Sequence, residues 1–202
     1  MSRIADFPID PLFTNRWSPR SFTGEAVPDA VLHTAFEAAR WAPSAMNAQP
    51  WRFLVARPGE ELWETYVSLL VPRNQLWAAK ASALIIILSA RELDYRGERA
   101  PNPSHSFDAG AAWANFAHQA LLLGWHTHGI GGFDKDAARE RLNIPEDFAV
   151  EAIIALGRRG DLEGLDPQFH GAEAPNGRRP LSESVFAGTL DNPAFPQERD
   201  AA

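Results

Sequence analysis

The chain contains no cysteine. That absence removes disulfides, thiolate nucleophiles, iron–sulfur clusters and cysteine-built zinc sites together. Long apolar runs are also missing, for the longest, Ala83 to Leu88, is far too short to cross a bilayer. The N-terminal MSRIADFPID has neither a basic region nor an apolar stretch, so no secretory signal is expected. A soluble cytoplasmic protein without a membrane partner is the resulting expectation. Positive charge is in deficit, with a formal net charge of -7. Phosphate-backbone binding needs clustered Lys and Arg, so nucleic acid is not an expected partner. Four motifs are absent as well: GxxxxGK[ST], GxGxxG, HExxH and GxSxG. A nucleotide phosphate loop, a dinucleotide fingerprint, a helix-borne zinc site and a serine nucleophile elbow therefore fall away.

What remains is an ordinary globular composition, 45% hydrophobic and 22% charged over 202 residues, which fits one domain. Pro28 to Trp41 reads as a helix, with Val31, Leu32, Ala35, Phe36 and Ala39 on one face and Pro28 at its first position. Pro43 ends it. Trp51 to Ala56 reads as a strand, Glu60 to Leu70 as a helix, and Gln75 to Lys80 as a further short helix. Ala83 to Ser89 is apolar on both faces, which predicts a central strand. Arg91 to His105, polar and with two prolines, is expected to be an exposed loop. An Ala-rich helix is predicted from Phe107 to Leu123, capped by Ser106 and stopped by Gly124. Its many alanines permit close backbone approach. Gly129 to Phe133 (GIGGF) reads as a glycine-rich turn, Asp136 to Leu142 as a short helix, and Val150 to Leu156 as a strand. Asp161 to Arg179 is expected to form an extended arm with few apolar anchors, and Gln197 to Ala202 to fray.

Chemistry-bearing clusters are few. In RWSPR, the side chains of Arg16, Ser18 and Arg20 share one face if the segment is extended, a set suited to a phosphate or other anion. The alternative is a solvated turn. Arg178–Arg179 and Arg158–Arg159 are further arginine pairs, and three pairs in an acidic chain favour one set converging on an anion. His126 and His128 could ligate a metal on a strand edge, with Asp134 nearby. No complete ligand set is evident, so no metal is expected. His118 is expected to be packed or solvated. The GIGG turn offers backbone amides without side chains, with glycines free to take positive φ and to approach a flat ligand. The alternative is a plain connection between elements. PSAMNAQPW at 43–51 is an uncharged loop with two prolines and two side-chain amides, flanked by Trp41 and Trp51.

Taken in order, RWSPRSF, APSAMNAQPWRF, Asn74 ahead of ALIIIL, GIGGF and GRRPL resemble the nitroreductase family of flavoproteins. The resemblance runs from Arg16 to Leu181. It implies an α+β fold, a mixed four- to five-stranded sheet wrapped by helices, in an intertwined homodimer with FMN at the interface. On this reading residues 1–202 form a single FMN-binding domain, with 161–202 as an extended C-terminal arm that embraces the partner. The Ala-rich helix would lie in the subunit contact. By the same resemblance Arg16, Trp17, Ser18 and Arg20 face the phosphate, ribityl chain and pyrimidine edge, and Arg179 or its neighbour Arg178 completes the phosphate site. Asn74 faces the pyrimidine end, while Ile130, Gly131 and Gly132 lie against the central ring. Pro43, Ser44, Ala45, Asn47 and Gln49 belong to the loop presented to the other subunit's flavin. The implied reaction is ping-pong transfer of hydride from NADH or NADPH through FMN to a small organic acceptor, with no catalytic side chain. A flavin-storing or flavin-sensing module, or dehydrogenase or dehalogenase chemistry on the same fold, is the alternative. The chain lacks the acid often found in the family where Gly131 stands, and the lysine where Arg20 or Trp77 stands.

Overall fold

The apolar stretch Ala83–Ala90 forms a strand that is buried along all but its last residue, and this strand organises the protein. The computed structural model describes residues 3–195. In chain order its helices are α1 (Pro11–Asn15), α2 (Asp29–Arg40), α3 (Trp63–Leu69), α4 (Pro72–Ala78), α5 (His105–Leu122) and α6 (Lys135–Arg141). Its strands are β1 (Trp51–Ala56), β2 (Ala83–Ala90), β3 (Glu92–Tyr95), β4 (Glu98–Pro101), β5 (His126–Ile130) and β6 (Phe148–Gly157). The main sheet runs β1-β2-β6-β5, and β3 and β4 form a separate hairpin.

Alternation along β2 explains the layering. Leu84, Ile86 and Leu88 point to one core, shared with Trp63, Tyr66, Trp77 and Ile153. Ala83, Ile85 and Ile87 point to the other, shared with Leu32, Ala35, Phe116 and Trp125. Successive strand residues face opposite sides, so a strand apolar at every position needs cover on both. Helices α3, α4 and α6 cover the first face, and α2 with α5 the second. Ala109, Ala112, Ala117 and Ala120 are buried along α5, where small side chains bring it close to its neighbours.

Several local expectations change. Every pairing in the four-stranded sheet is antiparallel, whereas a mixed sheet was expected. Residues 91–105 are not a plain loop: Glu92–Tyr95 and Glu98–Pro101 pair through a turn in which Gly97 takes φ 84° and its N–H donates to Asp94. Pro28 precedes the first turn of α2 instead of occupying it. Ser104, not Ser106, flanks the start of α5, and the Ser106 hydroxyl donates to Glu151 instead. The predicted Gln75–Lys80 helix begins earlier, at Pro72. The first two residues of GIGGF belong to β5 and only the rest forms the connection. The segment after Gly160 carries two buried anchors against the core: Leu165, directly after the three-residue 3-10 turn Leu162–Gly164, and Phe169, within the six-residue turn Pro167–Ala172. Gln197–Ala202 lies outside the described residues.

Candidate functional site

Arginines gather around the segment that precedes Phe22. The half-buried Arg16 guanidinium donates to Ser18 Oγ at 3.3 Å. Arg3, which carries no motif, donates to the carbonyls of Arg16 at 2.5 Å, Thr14 at 3.0 Å and Asn176 at 2.7 Å. Arg178 shares the Asn176 side chain with Arg3. Arg16 is held below its ordinary pKa first by burial and then by the charges of Arg3 and Arg178. Arg3 is lowered likewise, by burial and by Arg178. Among the described residues none of the three lies within ion-pair distance of a carboxylate. Three like charges drawn together without a counter-charge among the described residues suit an anion. Arg179 is more exposed and lies 3.8 Å from Glu183, while Arg158 pairs with Glu25 at 3.5 Å.

A cavity of about 300 Å³ opens beside this cluster, lined by Arg16, Ser18, Trp113, Ala117, His118 and Gly129. A Cβ on Gly129 would come within 3.4 Å of the Trp113 ring. Trp17 is buried beneath Arg159, whose guanidinium sits 5.8 Å from the ring. Arg20 lies 6.0 Å from the Trp77 ring and 5.9 Å from Phe169. The backbone N–H groups of Arg20 and Ser21 donate to the Glu173 carboxylate at 2.9 Å each, tying this segment to the C-terminal arm.

Asn74 and Gly132 meet as well. Asn74 Nδ2 donates to the Gly132 carbonyl at 3.2 Å, and Val71 N–H donates to the same oxygen at 3.1 Å. A Cβ at Gly132 would stand 2.9 Å from Asn74 Nδ2, so only glycine fits there unshifted. A Cβ at Gly131 would meet nothing within 4 Å. Neither glycine uses the positive φ open to it. Those conformations fall on non-glycine residues of the other loop: Met46 (53°), Asn47 (55°) and Gln49 (46°). Such backbone is unfavourable for L-residues and persists only where neighbours hold it. Here Ser44 Oγ accepts from Gln49 N–H at 3.0 Å, and buried Asp108 accepts from Ala45 N–H at 3.1 Å. Pro43, Ala45, Met46, Asn47 and Gln49 are exposed, and Trp41 beside them is 72% exposed. No hydrogen bond among the described residues joins this loop to residues 16–20. The fold therefore brings Arg16, Ser18 and Arg178 together, pairs Asn74 with Gly132, and ties 43–49 to α5 through Asp108.

His126 and His128 lie on edge strand β5, and no group of His, Cys, Asp or Glu suited to a metal occurs among the described residues. His128 instead bonds the Pro19 carbonyl at 3.0 Å and packs against Trp77, ring centroids 4.5 Å apart and tilted by 39°. A carbonyl only accepts, so Nδ1 carries the proton. Burial, with Arg20 and Arg16 adding repulsion against the opposing pull of the backbone bonds, pushes the ring pKa down to about 4. The folded value lies below the ordinary 6.5, so unfolding takes up a proton between pH 6.5 and about 4. Stability from this group is complete above that window and is lost as pH falls through it. His118 and His126, both lowered chiefly by burial, act in the same direction. Denaturant unfolding at several pH values is expected to show a shallower acid loss in His128→Asn than in the wild type; parallel curves would contradict the assignment.

Sequence reasoning passed over Arg3, Asp108, Trp113 and Glu173 as site residues. Asp108 in the first turn of a helix was the one legible signal; the others are identified by long-range contact alone.

Comparisons with known proteins bear on the family and the fold. The family profile described as the nitroreductase family matches residues 13–158. An NADH dehydrogenase of Thermus thermophilus is 30% identical over 173 residues, covering 70% of this chain and 82% of that one. A crystal structure described as an oxidoreductase containing FMN superimposes with a TM-score of 0.90 at 46% identity, covering 94% of this chain and 96% of the other. A protein from Desulfovibrio desulfuricans, crystallised in complex with FMN, gives 0.70 at 27% identity over 94% of this chain and all of its own.

Proposed function

Because the chain belongs to the nitroreductase family, we propose that it is an FMN-dependent oxidoreductase that uses NADH or NADPH and works as a homodimer. The observation that carries this reading is the uncompensated cluster of Arg3, Arg16 and Arg178 beside the Ser18-lined cavity. A terminal phosphate supplies the missing negative charge, through charge-assisted bonds to planar guanidiniums. Arg16, Ser18 and Arg178 would hold it, with Arg179 next in the chain and Trp17 packed behind. Asn74 and the backbone of Ile130, Gly131 and Gly132 would border the ring, in the space left open beside Gly131. When bound, FMN would supply the redox chemistry that links oxidation of the nicotinamide to reduction of a small organic acceptor of nitro, quinone or enone type. The chain contributes binding and electrostatics. Arg20, spaced over Trp77 and Phe169, would place positive charge at the pyrimidine edge and favour the anionic reduced state.

The loop 43–49 completes the reading. Its exposed, left-handed residues and the exposed Trp41, Met46, Phe107 and Leu122 offer a surface for a second copy. Ser44, Asn47 and Gln49 would there face the partner's flavin. Flavin binding and dimerisation must then be linked, because a ligand held only by the dimer stabilises it by mass action. The purified protein is expected to be yellow, to release FMN on heating and to oxidise NADH or NADPH. Released FAD, or no reduced-nicotinamide oxidation by flavin-loaded protein, would refute the assignment. Sedimentation with and without FMN is expected to show a dimer more resistant to dilution when loaded. A monomer that holds FMN at full affinity would overturn the shared site.

A further inference from the structure

His128 belongs to no metal-suited cluster among the described residues, yet it links two parts of the proposed flavin cradle. The segment from Arg16 to Ser21 belongs to no strand or helix. It is held by Arg3 on the Arg16 carbonyl, by Glu173 on the Arg20 and Ser21 amides, and at its far end by Gly160 and Asp161, just past β6, on Ser21. His128 differs because it stands on β5, directly before Gly129 of the cavity wall and shortly before the Gly131–Gly132 connection. Its Nδ1–H donates to the carbonyl of buried Pro19. The same ring packs on Trp77, over which the next residue, Arg20, is spread.

We propose, resting on the flavin reading above, that His128 is a positioning residue whose Nδ1–H clamps Pro19 to the sheet and so sets Arg16, Ser18 and Arg20 at a fixed distance from the glycine connection. Without the clamp the anion-binding side chains and the ring-bordering backbone move independently, and a rigid ligand spanning both loses its pre-organised site. The charged groups facing the ring are Arg16 and Arg20, so a neutral imidazole is required there; a cation would oppose both.

Two substitutions separate the hydrogen bond from the packing. His128→Phe keeps a flat ring against Trp77 and removes the donor. His128→Asn removes the ring but places an amide N–H where Nδ1–H stood. FMN dissociation constants, measured by quenching of flavin fluorescence on flavin-stripped protein, are expected to rise about tenfold in His128→Phe and to stay within about twofold of wild type in His128→Asn. The reverse order, or equal loss in both, overturns the clamp in favour of packing. Should the Phe variant fail to fold, His128→Leu takes its place in the same comparison.

Amide hydrogen exchange on the flavin-free protein gives a second readout. Protection of the Arg20 and Ser21 amides is expected to fall about tenfold in His128→Phe and to be kept in His128→Asn. Unchanged protection in His128→Phe refutes the clamp. If the wild type takes up no FMN, the flavin reading fails while the exchange comparison still decides the role of His128.

Discussion

Replacing Arg16 with alanine is expected to weaken FMN binding by about one to two decades, a loss of about 1.5–3 kcal/mol for a charge-assisted phosphate contact. Arg16 is half-buried, borders the cavity and is repelled by Arg3 and Arg178, so it carries unneutralised charge into the site. Two arginines remain in the variant, which limits the loss to weakening instead of abolition. Arg57→Ala is the control. Its guanidinium already meets Asp29 at 2.6 Å and Glu60 at 3.9 Å, and a largely exposed pair contributes little. Affinity there should stay within about twofold of wild type. Titration of flavin-stripped protein with FMN measures both, and raising ionic strength should narrow the gap between them. Equal retention of FMN by the two variants would mean that the cluster around Arg16 is surface charge only.

Trp77→Ala carries the largest expected cost to the fold. The ring is 1% exposed, meets Phe22 at 6.2 Å and His128 at 4.5 Å between centroids, and underlies Arg20. Removing a buried aromatic of this size costs about 3–5 kcal/mol in transfer and cavity terms. For a chain of this length that corresponds to a fall in Tm of about 10 °C. Flavin retention is expected to fall with it, because Arg20 and His128 lose their common support. Trp77→Phe should recover most of the stability by refilling the space, and with it most of the FMN affinity. Calorimetry with flavin titration tests this; an unchanged Tm in Trp77→Ala would contradict the packing described.

How much was legible in the sequence depended on how local the cause was. Val31 to Ala39 repeats its apolar residues at helical spacing, and Ala83 to Leu88 is apolar at every position; both patterns follow from burial on known faces, and both elements form as expected. The hairpin within 91–105 was missed because its strands are short and mostly exposed, with only Leu93 and Tyr95 alternating in one and no apolar pattern in the other. Its turn rests on Gly97, whose N–H donates to the Asp94 carboxylate, a pairing that a polar loop would equally contain. Residues 161–179 read as an extended arm because, beyond the exposed Leu162, only Leu165 and Phe169 interrupt the run with large apolar side chains. Those two suffice to fold part of it onto the core.

By itself the sequence determined the layers, the buried central strand, the exclusion of cysteine chemistry and the family to which the chain belongs. Each of these is written in composition, in periodicity or in a contiguous motif such as PSAMNAQPW, where the residues that matter are neighbours. Only the tertiary structure decided that Arg3 and Arg178, at opposite ends of the chain, share Asn176 beside Arg16. It also decided that Asp108 holds the strained loop and that His128 grips Pro19 across 109 positions. Charge repulsion, hydrogen bonding and burial act through space over a few ångströms, so partners brought together by the sheet and its covering helices leave no spacing in the sequence to read.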